Sequence, residues 1–598
     1  MRTLKQLAVF VIILNITITA MPFLDRSAAR AGGLDYPQII KNPFLKMPDR
    51  NLLATAAEYA LPASGEIYIL VVPVFFSDYN FITTNTNTLT NFLNEIFFSN
   101  YFGTVTHYYN ANSFGLLNIK GIVLPPLKLP EIRSYYGDQS RYTTFAIASA
   151  NLAAAAVSTG ILSKYDANQD NYIDITVFIH AGQGAETSAS SLDIHSHTST
   201  LSPVTNIIAG ASVYKFGKYI IVPEVMNINA HDITNLITIG TFTHELGHCF
   251  GLPDLYNTSS LNADIDNSVG SAALMDTGAY NFIRYHTNTN TIFPTYGSCP
   301  APVIGLHKKF LGWLKFTEAP SGLNKVTDFS SGTSSEPLVC IIKGAKDKEY
   351  WLIENRQGSS YDIGLMSYPY YILSSEAREN QIRAQGLLIW HIDESVYEIY
   401  YNSTYGFNSV NNDYLHRAVD IEEATTNQSL DTAGYLTEKS FWASNHLDGF
   451  SDNSRPNARY YDSSPSGIRI SGISAPGREM KFTATVIDYA GFSARAFPDP
   501  FFPDQNRVTI AVTLEGAADK NPGNEYKYYI TSLSGRIVKT IDTEQINTIK
   551  SGEKLVFITQ WDGRDNSGRI CNAGTYRYYL ETEISKGLAG TVSIKRWQ

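Results

Sequence analysis

Two histidines four residues apart, with a glutamate next to the first, constrain this chain more than any other feature. The segment reads Thr243-His244-Glu245-Leu246-Gly247-His248-Cys249-Phe250-Gly251-Leu252-Pro253-Asp254. Leu236, Ile239, Phe242, Leu246 and Phe250 recur at spacings of three and four, which predicts an amphipathic helix. Residues four apart on such a helix project from one face, so His244 and His248 can bind one metal ion while Glu245 stands beside it. Water is too weak a nucleophile for an amide until a Lewis acid lowers its pKa toward neutrality. A carboxylate within hydrogen-bond reach completes the activation and later protonates the leaving amine. The pattern points to zinc-dependent hydrolysis with Glu245 as general base.

The residues after the pair strengthen it. Gly251 falls where the helix would end in a left-handed turn, letting the chain bend so that Asp254 faces the metal. In metzincin proteases, which this segment resembles, the residue at that place is a histidine. A carboxylate oxygen is also a legitimate zinc ligand, and Asp254 is expected as the third. The competing reading is that Leu252-Pro253-Asp254 only begins a loop. Further on, Ala273-Leu274-Met275-Asp276 resembles the Met-turn that lies beneath the metal, the plainer alternative for Met275 being a buried methionine with no such role. Cys249 follows His248 directly and would point to another helix face, as a small buried hydrophobe.

At 598 residues the chain exceeds one folding unit several-fold. Its 44% hydrophobic and 17% charged residues describe globular domains and exclude disorder on a large scale. A formal charge of −10 without a lysine- or arginine-rich run argues against a nucleic-acid partner. Four cysteines are too few for a disulfide scaffold. The N-terminus has Arg2 and Lys5, an apolar stretch from Leu7 to about Ala20, and small residues ending Ala28-Ala29-Arg30-Ala31. That order reads as a signal peptide. The apolar run is shorter than the roughly 20 residues of a spanning helix, so no transmembrane anchor is expected after signal removal. Cleavage after Ala31 or nearer Ala20 stays open, as does a propeptide role for residues 32–65.

The expected architecture is multidomain: an α+β metzincin-like protease domain over 66–328, an antiparallel β domain over 329–488, and an immunoglobulin-like β-sandwich over 489–598. Ile67 to Phe76, Ile173 to Ala181 and Tyr219 to Val225 are apolar, β-branched runs that suit buried strands. Leu89 to Tyr101 and the alanine-rich Thr143 to Leu162 carry helical patterns. Beyond 328, short strand-like runs alternate with Ser, Gly, Asn and Pro clusters. Phe497-Pro498-Asp499-Pro500 marks the last break.

With these motifs in view, the chain resembles the immune inhibitor A family of secreted bacterial metalloproteases, in which the pattern HExxHxxGLPDLY precedes a Met-turn. The likeness extends to Phe76-Ser77-Asp78, His107-Tyr108-Tyr109, His180-Ala181-Gly182, Lys309-Phe310-Leu311-Gly312-Trp313, Tyr350 to Arg356 and Gly386 to Asp393. It implies a secreted endopeptidase acting on protein or peptide substrates outside the cell. Gln560 to Arg569 and Ala573 to Tyr578 resemble the immunoglobulin-like module of the flagellar hook-capping protein. That part of the sequence carries no metal-ligand cluster or nucleophile arrangement, so sorting, surface attachment, contact with secretion machinery or substrate docking is expected of it rather than chemistry.

Asp166-Ala167-Asn168-Gln169-Asp170-Asn171-Tyr172-Ile173-Asp174 places oxygen-bearing groups at every second position, which suits a hard cation. Asp166, Asn168, Asp170, Tyr172 and Asp174 are the expected calcium ligands, with Asn171 able to take the left-handed turn. A solvated polar turn is the alternative. For the whole chain, the reading that competes with an enzyme is a catalytically inactive protease fold kept for binding or surface structure. Against it, His244, Glu245 and His248 are all retained.

Overall fold

The computed structural model describes residues 61–596 apart from 84, 189, 191, 210–211, 226–235, 259–268, 283, 287–291, 295, 345, 368–384, 402–408, 427, 429, 431–435, 445–448, 487–491, 515–525, 534–535, 552–553 and 582–585. The expected signal peptide, and the segment after it up to residue 60, lie outside the described residues. Among the described residues no helix is long and apolar enough to cross a membrane.

The first sheet is built on β1 (Gly65–Phe75), flanked by β2 (Leu117–Val123) and the two-residue β3 (Leu127–Lys128). On its other side come β5 (Ile175–Gln183) and β7 (Ser212–Val225), with the short β4 (Tyr172–Ile173) pairing with β7. All these pairings are parallel. The exception is β6 (His197–Ala209), which runs antiparallel to β7. The unbroken apolar runs of β1 and β5 fit strands covered on both faces.

Helix α1 (Thr86–Phe98) starts at Asn85, whose side chain accepts the Thr88 amide, and α2 (Val105–Asn112) starts at Thr104, which accepts that of His107. The alanine-rich stretch forms α3 (Tyr142–Ala156) and then a 3₁₀ turn over Thr159–Tyr165. The apolar pattern ending at Cys249 forms α4 (Ile239–Cys249), all of whose residues are buried. A small ribbon, β8 (Arg284–His286) with β9 (Ile292–Pro294), and the short α5 (Gly305–Phe310) come next.

Five strands form the next sheet: β10 (Thr317–Glu318), β12 (Val339–Ile342), β13 (Glu349–Arg356), β14 (Gly386–Asp393) and β15 (Val419–Glu422). Its pairings are antiparallel except β10 with β12. Alternate residues of its middle strands enter two different cores. Val339, Ile341, Tyr350, Leu352, Leu388 and Trp390 join the core of the first sheet. Cys340, Ile342, Trp351, Ile353, Leu387 and Ile389 face a second core. That second core is closed by the antiparallel sheet of β11 (Gly322–Thr327), β16 (Phe450–Ser451), β17 (Ile468–Ser471) and β18 (Glu479–Val486). Residues on both sides of position 328 thus share one core, which runs from Leu61 to Phe441.

The last part has two four-stranded antiparallel sheets enclosing a third core that includes Trp561 and Phe557. One sheet holds β19 (Phe492–Phe497), β20 (Val508–Leu514), β23 (Asn547–Ser551) and β24 (Lys554–Trp561). The other holds β21 (Lys527–Ser532), β22 (Ile537–Asp542), β25 (Gly574–Glu581) and β26 (Lys586–Ile594). Tyr576 and Tyr578 both point into the shared core, as alternation along one strand requires. All four cysteines of the chain are free and buried.

His391 on β14 shows how charge is handled inside the β-rich region. Its ring stacks between Trp351 and Tyr461, with centroids 4.7 and 4.3 Å away. Its nitrogens meet Glu349 at 3.1 Å and Glu422 at 3.3 Å. Burial alone would lower the imidazole pKa, but the two carboxylates outweigh it and raise the value to about 9. The folded ring holds its proton more tightly than an unfolded histidine, whose pKa is about 6.5. Its contribution to stability is therefore complete below about pH 6.5 and is lost as pH rises through about 9. We expect His391→Gln to lower the melting temperature most below pH 6.5, with the gap from the unmutated protein narrowing toward pH 10. A gap independent of pH would show that the ring is not charged.

Candidate metal centre

The end of α4 aims the site. Gly251 adopts φ +86°; its N–H donates to the His248 carbonyl at 2.9 Å, and the Leu252 N–H donates to that of Gly247 at 3.1 Å. This pair of bonds is the Schellman closure of a helix C-terminus, for which a glycine avoids the left-handed penalty. The reversed chain brings the Leu252 carbonyl to His248 Nδ1 at 2.8 Å. Asp254, fully buried, then lies with Oδ1 3.2 Å from Nε2 of both His244 and His248.

Both imidazoles are oriented from behind. His244 Nδ1 lies 2.9 Å from the Leu274 carbonyl, as His248 Nδ1 lies near that of Leu252. A carbonyl only accepts, so each Nδ1 carries a proton and each Nε2 is the atom left to face Asp254 or an ion. Two ligand atoms about 2.0–2.1 Å from one tetrahedral ion are about 3.3 Å apart, so the 3.2 Å separations fit a single zinc-sized cation. The three ligand atoms lie within 4.8 Å of one another, and among the described residues no other group of three His, Cys, Asp or Glu side chains converges in this way. Electrostatics agree. Burial pushes the Asp254 carboxyl up, but the His248 charge and the hydrogen bonds from both histidines outweigh it and hold the pKa well below the usual range. For His248 burial works downward, and Asp254 raises the value to about 9. A cation at the point where these atoms meet provides the same stabilisation without a proton.

Glu245 is buried beside the cluster, and burial raises its pKa despite the histidine charges. The Thr198 hydroxyl on β6 lies 3.0 Å from Glu245 Oε2 and 2.9 Å from its main-chain carbonyl. Sequence reading missed Thr198, because the stretch His197-Thr198-Ser199-Thr200-Leu201-Ser202-Pro203 is polar and broken by proline, with no alternation to mark a strand.

Met275 packs against Gly247 of α4. A Cβ added to Gly247, between His244 and His248 in the chain, would sit 2.6 Å from the Met275 sulfur. The turn is braced by Asp276, whose carboxylate accepts the amides of Val269, Gly270 and Thr277 at 3.1, 2.9 and 2.6 Å. Arg356 on β13 donates to the Ala272 carbonyl at 3.2 Å. Tyr109 on α2 secures the helix itself, its hydroxyl donating to the Thr243 carbonyl at 2.5 Å. Cys249 is buried and is not one of the converging side chains.

The acidic loop lies elsewhere, between the 3₁₀ turn and β4. Gln169 and Asn171 adopt φ +60° and +66°. Asp166 accepts the amides of Asp170 and Asn171 at 2.9 and 3.0 Å, Asp170 that of Tyr172 at 2.7 Å, and Asp174 that of Ala167 at 2.9 Å. Asn168 donates to Asp170 at 2.8 Å. The carboxylates thus satisfy the loop's own backbone. Burial, reinforced by the charges of Asp166 and Asp170, raises Asp174 to about 6.

The family model for the immune inhibitor A peptidase M6 catalytic domain matches residues 85–297. The match supports a metallopeptidase, and the matched span runs from the approach to α1 past Met275, enclosing His244, Glu245, His248 and Asp254. No curated protein matches the chain significantly. Among solved structures, PorZ, an essential bacterial surface component of the type-IX secretion system of Porphyromonas gingivalis, is 18% identical over 22% of this chain, with a TM-score of 0.12. The alignment spans 15% of that protein's length, and a similarity this low carries neither fold nor function.

Gly247→Ala should force the Met275 side chain to move. We expect a loss of about 1–3 kcal/mol in unfolding free energy, typical of overpacking, together with weaker metal binding. Denaturant titration and metal analysis of the variant check both, and unchanged values would mean that the sulfur does not support the site.

Proposed function

We propose that the chain is a secreted zinc-dependent endopeptidase that hydrolyses peptide bonds of extracellular proteins, with Glu245 as general base. The observation that carries this reading is the convergence of His244, His248 and Asp254 on one point with the Glu245 carboxylate beside it. Zinc, when bound, supplies Lewis acidity that brings the pKa of water toward neutrality.

The chain's own residues do the rest. Glu245 takes a proton from the attacking water and passes it to the leaving amine, and its raised pKa makes it a stronger base than an exposed glutamate. Thr198 keeps the carboxylate turned toward the cluster. The two Nδ1-to-carbonyl contacts hold each imidazole with its Nε2 facing the ion. Export is inferred from the N-terminal pattern of charge, apolar run and small residues. We expect Glu245→Ala to retain zinc while turnover of unfolded protein falls by about 10²–10⁴-fold. His248→Ala should lose both metal and activity, chelation should abolish wild-type activity, and added zinc should restore it. Normal turnover by Glu245→Ala would end this mechanism, and a wild type that binds zinc without cleaving would favour the inactive binding-protein reading.

A structural calcium ion is proposed at the acidic loop, held by side chains of Asp166, Asn168, Asp170 and Asp174 with the Tyr172 main chain. What supports it is the presence of three carboxylates in one short loop, the charges of two of them adding to the burial that raises Asp174, with the left-handed turn at Asn171. An ion that binds only the folded state stabilises it by mass action. Added calcium should therefore raise the melting temperature of the unmutated protein but not of Asp170→Ala, with zinc content equal in both. A melting temperature indifferent to calcium would remove this site.

The part after residue 488 is proposed to be an immunoglobulin-like module for sorting, surface attachment or contact with secretion machinery. Its separate core supports this. A chain ending at residue 488 should cleave small peptides like the full chain, and loss of that activity in a folded truncation would assign the module to catalysis.

A further inference from the structure

The third ligand stands outside α4, so the helix that fixes His244 and His248 does not fix it. Asp254 is held in place by the next peptide along the chain. The Leu255 N–H donates to the Met275 carbonyl at 2.8 Å. The Leu255 carbonyl accepts from Asn411 Nδ2 at 2.9 Å. The residue after the ligand is thus gripped on one side by the Met-turn and on the other by a side chain from the β-rich region, more than 150 positions along the chain.

Asn411 is itself held by further contacts. It is fully buried; Nδ2 also donates to the Val419 carbonyl at 2.8 Å, and Oδ1 accepts the Val419 N–H at 3.1 Å. Val419 opens β15 and is anchored by that strand's pairing with β14. Asn412 extends the contact, its Oδ1 accepting the Thr258 N–H at 2.8 Å. Only a side-chain amide can donate to two carbonyls and accept an N–H from one position. A carboxylate of the same shape keeps the acceptor and loses both donations.

We propose that Asn411 is a positioning residue of the metal centre: by fixing the Leu255 carbonyl to β15 it holds the Asp254 carboxylate where both imidazole nitrogens can share an ion with it. This inference rests on the zinc reading of the site. It also makes the centre incomplete without the β-rich region, although all three ligands lie before residue 328.

The test is the zinc affinity of the full-length protein, measured by competition with a chromogenic chelator, and the visible spectrum of the cobalt(II)-substituted form, which reports ligand geometry. Asn411→Asp and Asn411→Ala should bind zinc about 10–100-fold more weakly, as expected when a ligand's supporting hydrogen bond is removed, and should shift the cobalt bands. Met480→Ala, which cuts a cavity in the second core, should lower the melting temperature and leave both readouts unchanged. If Asn411→Ala does not fold, the isosteric Asn411→Asp decides. Wild-type affinity and spectrum in a folded Asn411 variant would overturn the proposal, as would an equal loss of affinity in Met480→Ala. A wild type that binds neither metal would overturn the zinc reading and this inference with it.

Discussion

Burying the Asp254 carboxylate would cost several kcal/mol with no positive charge beside it, and much of the surrounding architecture serves to put that charge in one place. Two imidazole nitrogens at 3.2 Å from the same oxygen leave room for a cation and little else. Each ring is pinned by a main-chain carbonyl, from Leu252 for His248 and from Leu274 for His244. Those carbonyls come from segments shaped by a left-handed glycine and by an aspartate saturated with backbone amides. The orientation of both rings thus depends on hydrogen bonds to main-chain carbonyls.

The five-stranded sheet gives the site its rigidity from the outside. Because it is buried on both faces, its strands alternate between two cores, and a displacement of β13 or β14 would disturb both. Arg356 reaches from β13 to the Met-turn, and Asn411, tied to β15, reaches to the peptide beside Asp254. The same sheet carries a charged histidine between two carboxylates and two aromatic rings. That arrangement tolerates buried charge because every polar atom of the ring is engaged.

Much of this was legible along the chain. β1 lies within two residues of the apolar run Ile67 to Phe76, and β5 within two of Ile173 to Ala181. Such strands bury one or both faces, so their periodicity is strong. β6 was not legible, since an edge strand rich in Ser, Thr and Asn is held by its antiparallel ladder with β7 rather than by burial of an alternating face. The division near residue 328 marks a change of texture in the sequence, but packing runs across it. Sequence texture records local structure, whereas a shared core depends on which distant faces meet.

The candidate metal centre was legible in the sequence alone because its groups are local: two histidines and a glutamate on adjacent turns of one helix, and a glycine that reverses the chain toward Asp254. Helical periodicity and the conformational freedom of glycine are short-range properties, readable within a dozen residues. What holds that centre was decided only by the tertiary structure. Thr198 meets Glu245, and Asn411 grips Leu255, across separations of 47 and 156 positions. No local pattern distinguishes these residues from an ordinary edge threonine or a turn asparagine, because their roles come from partners that the chain brings near them only on folding.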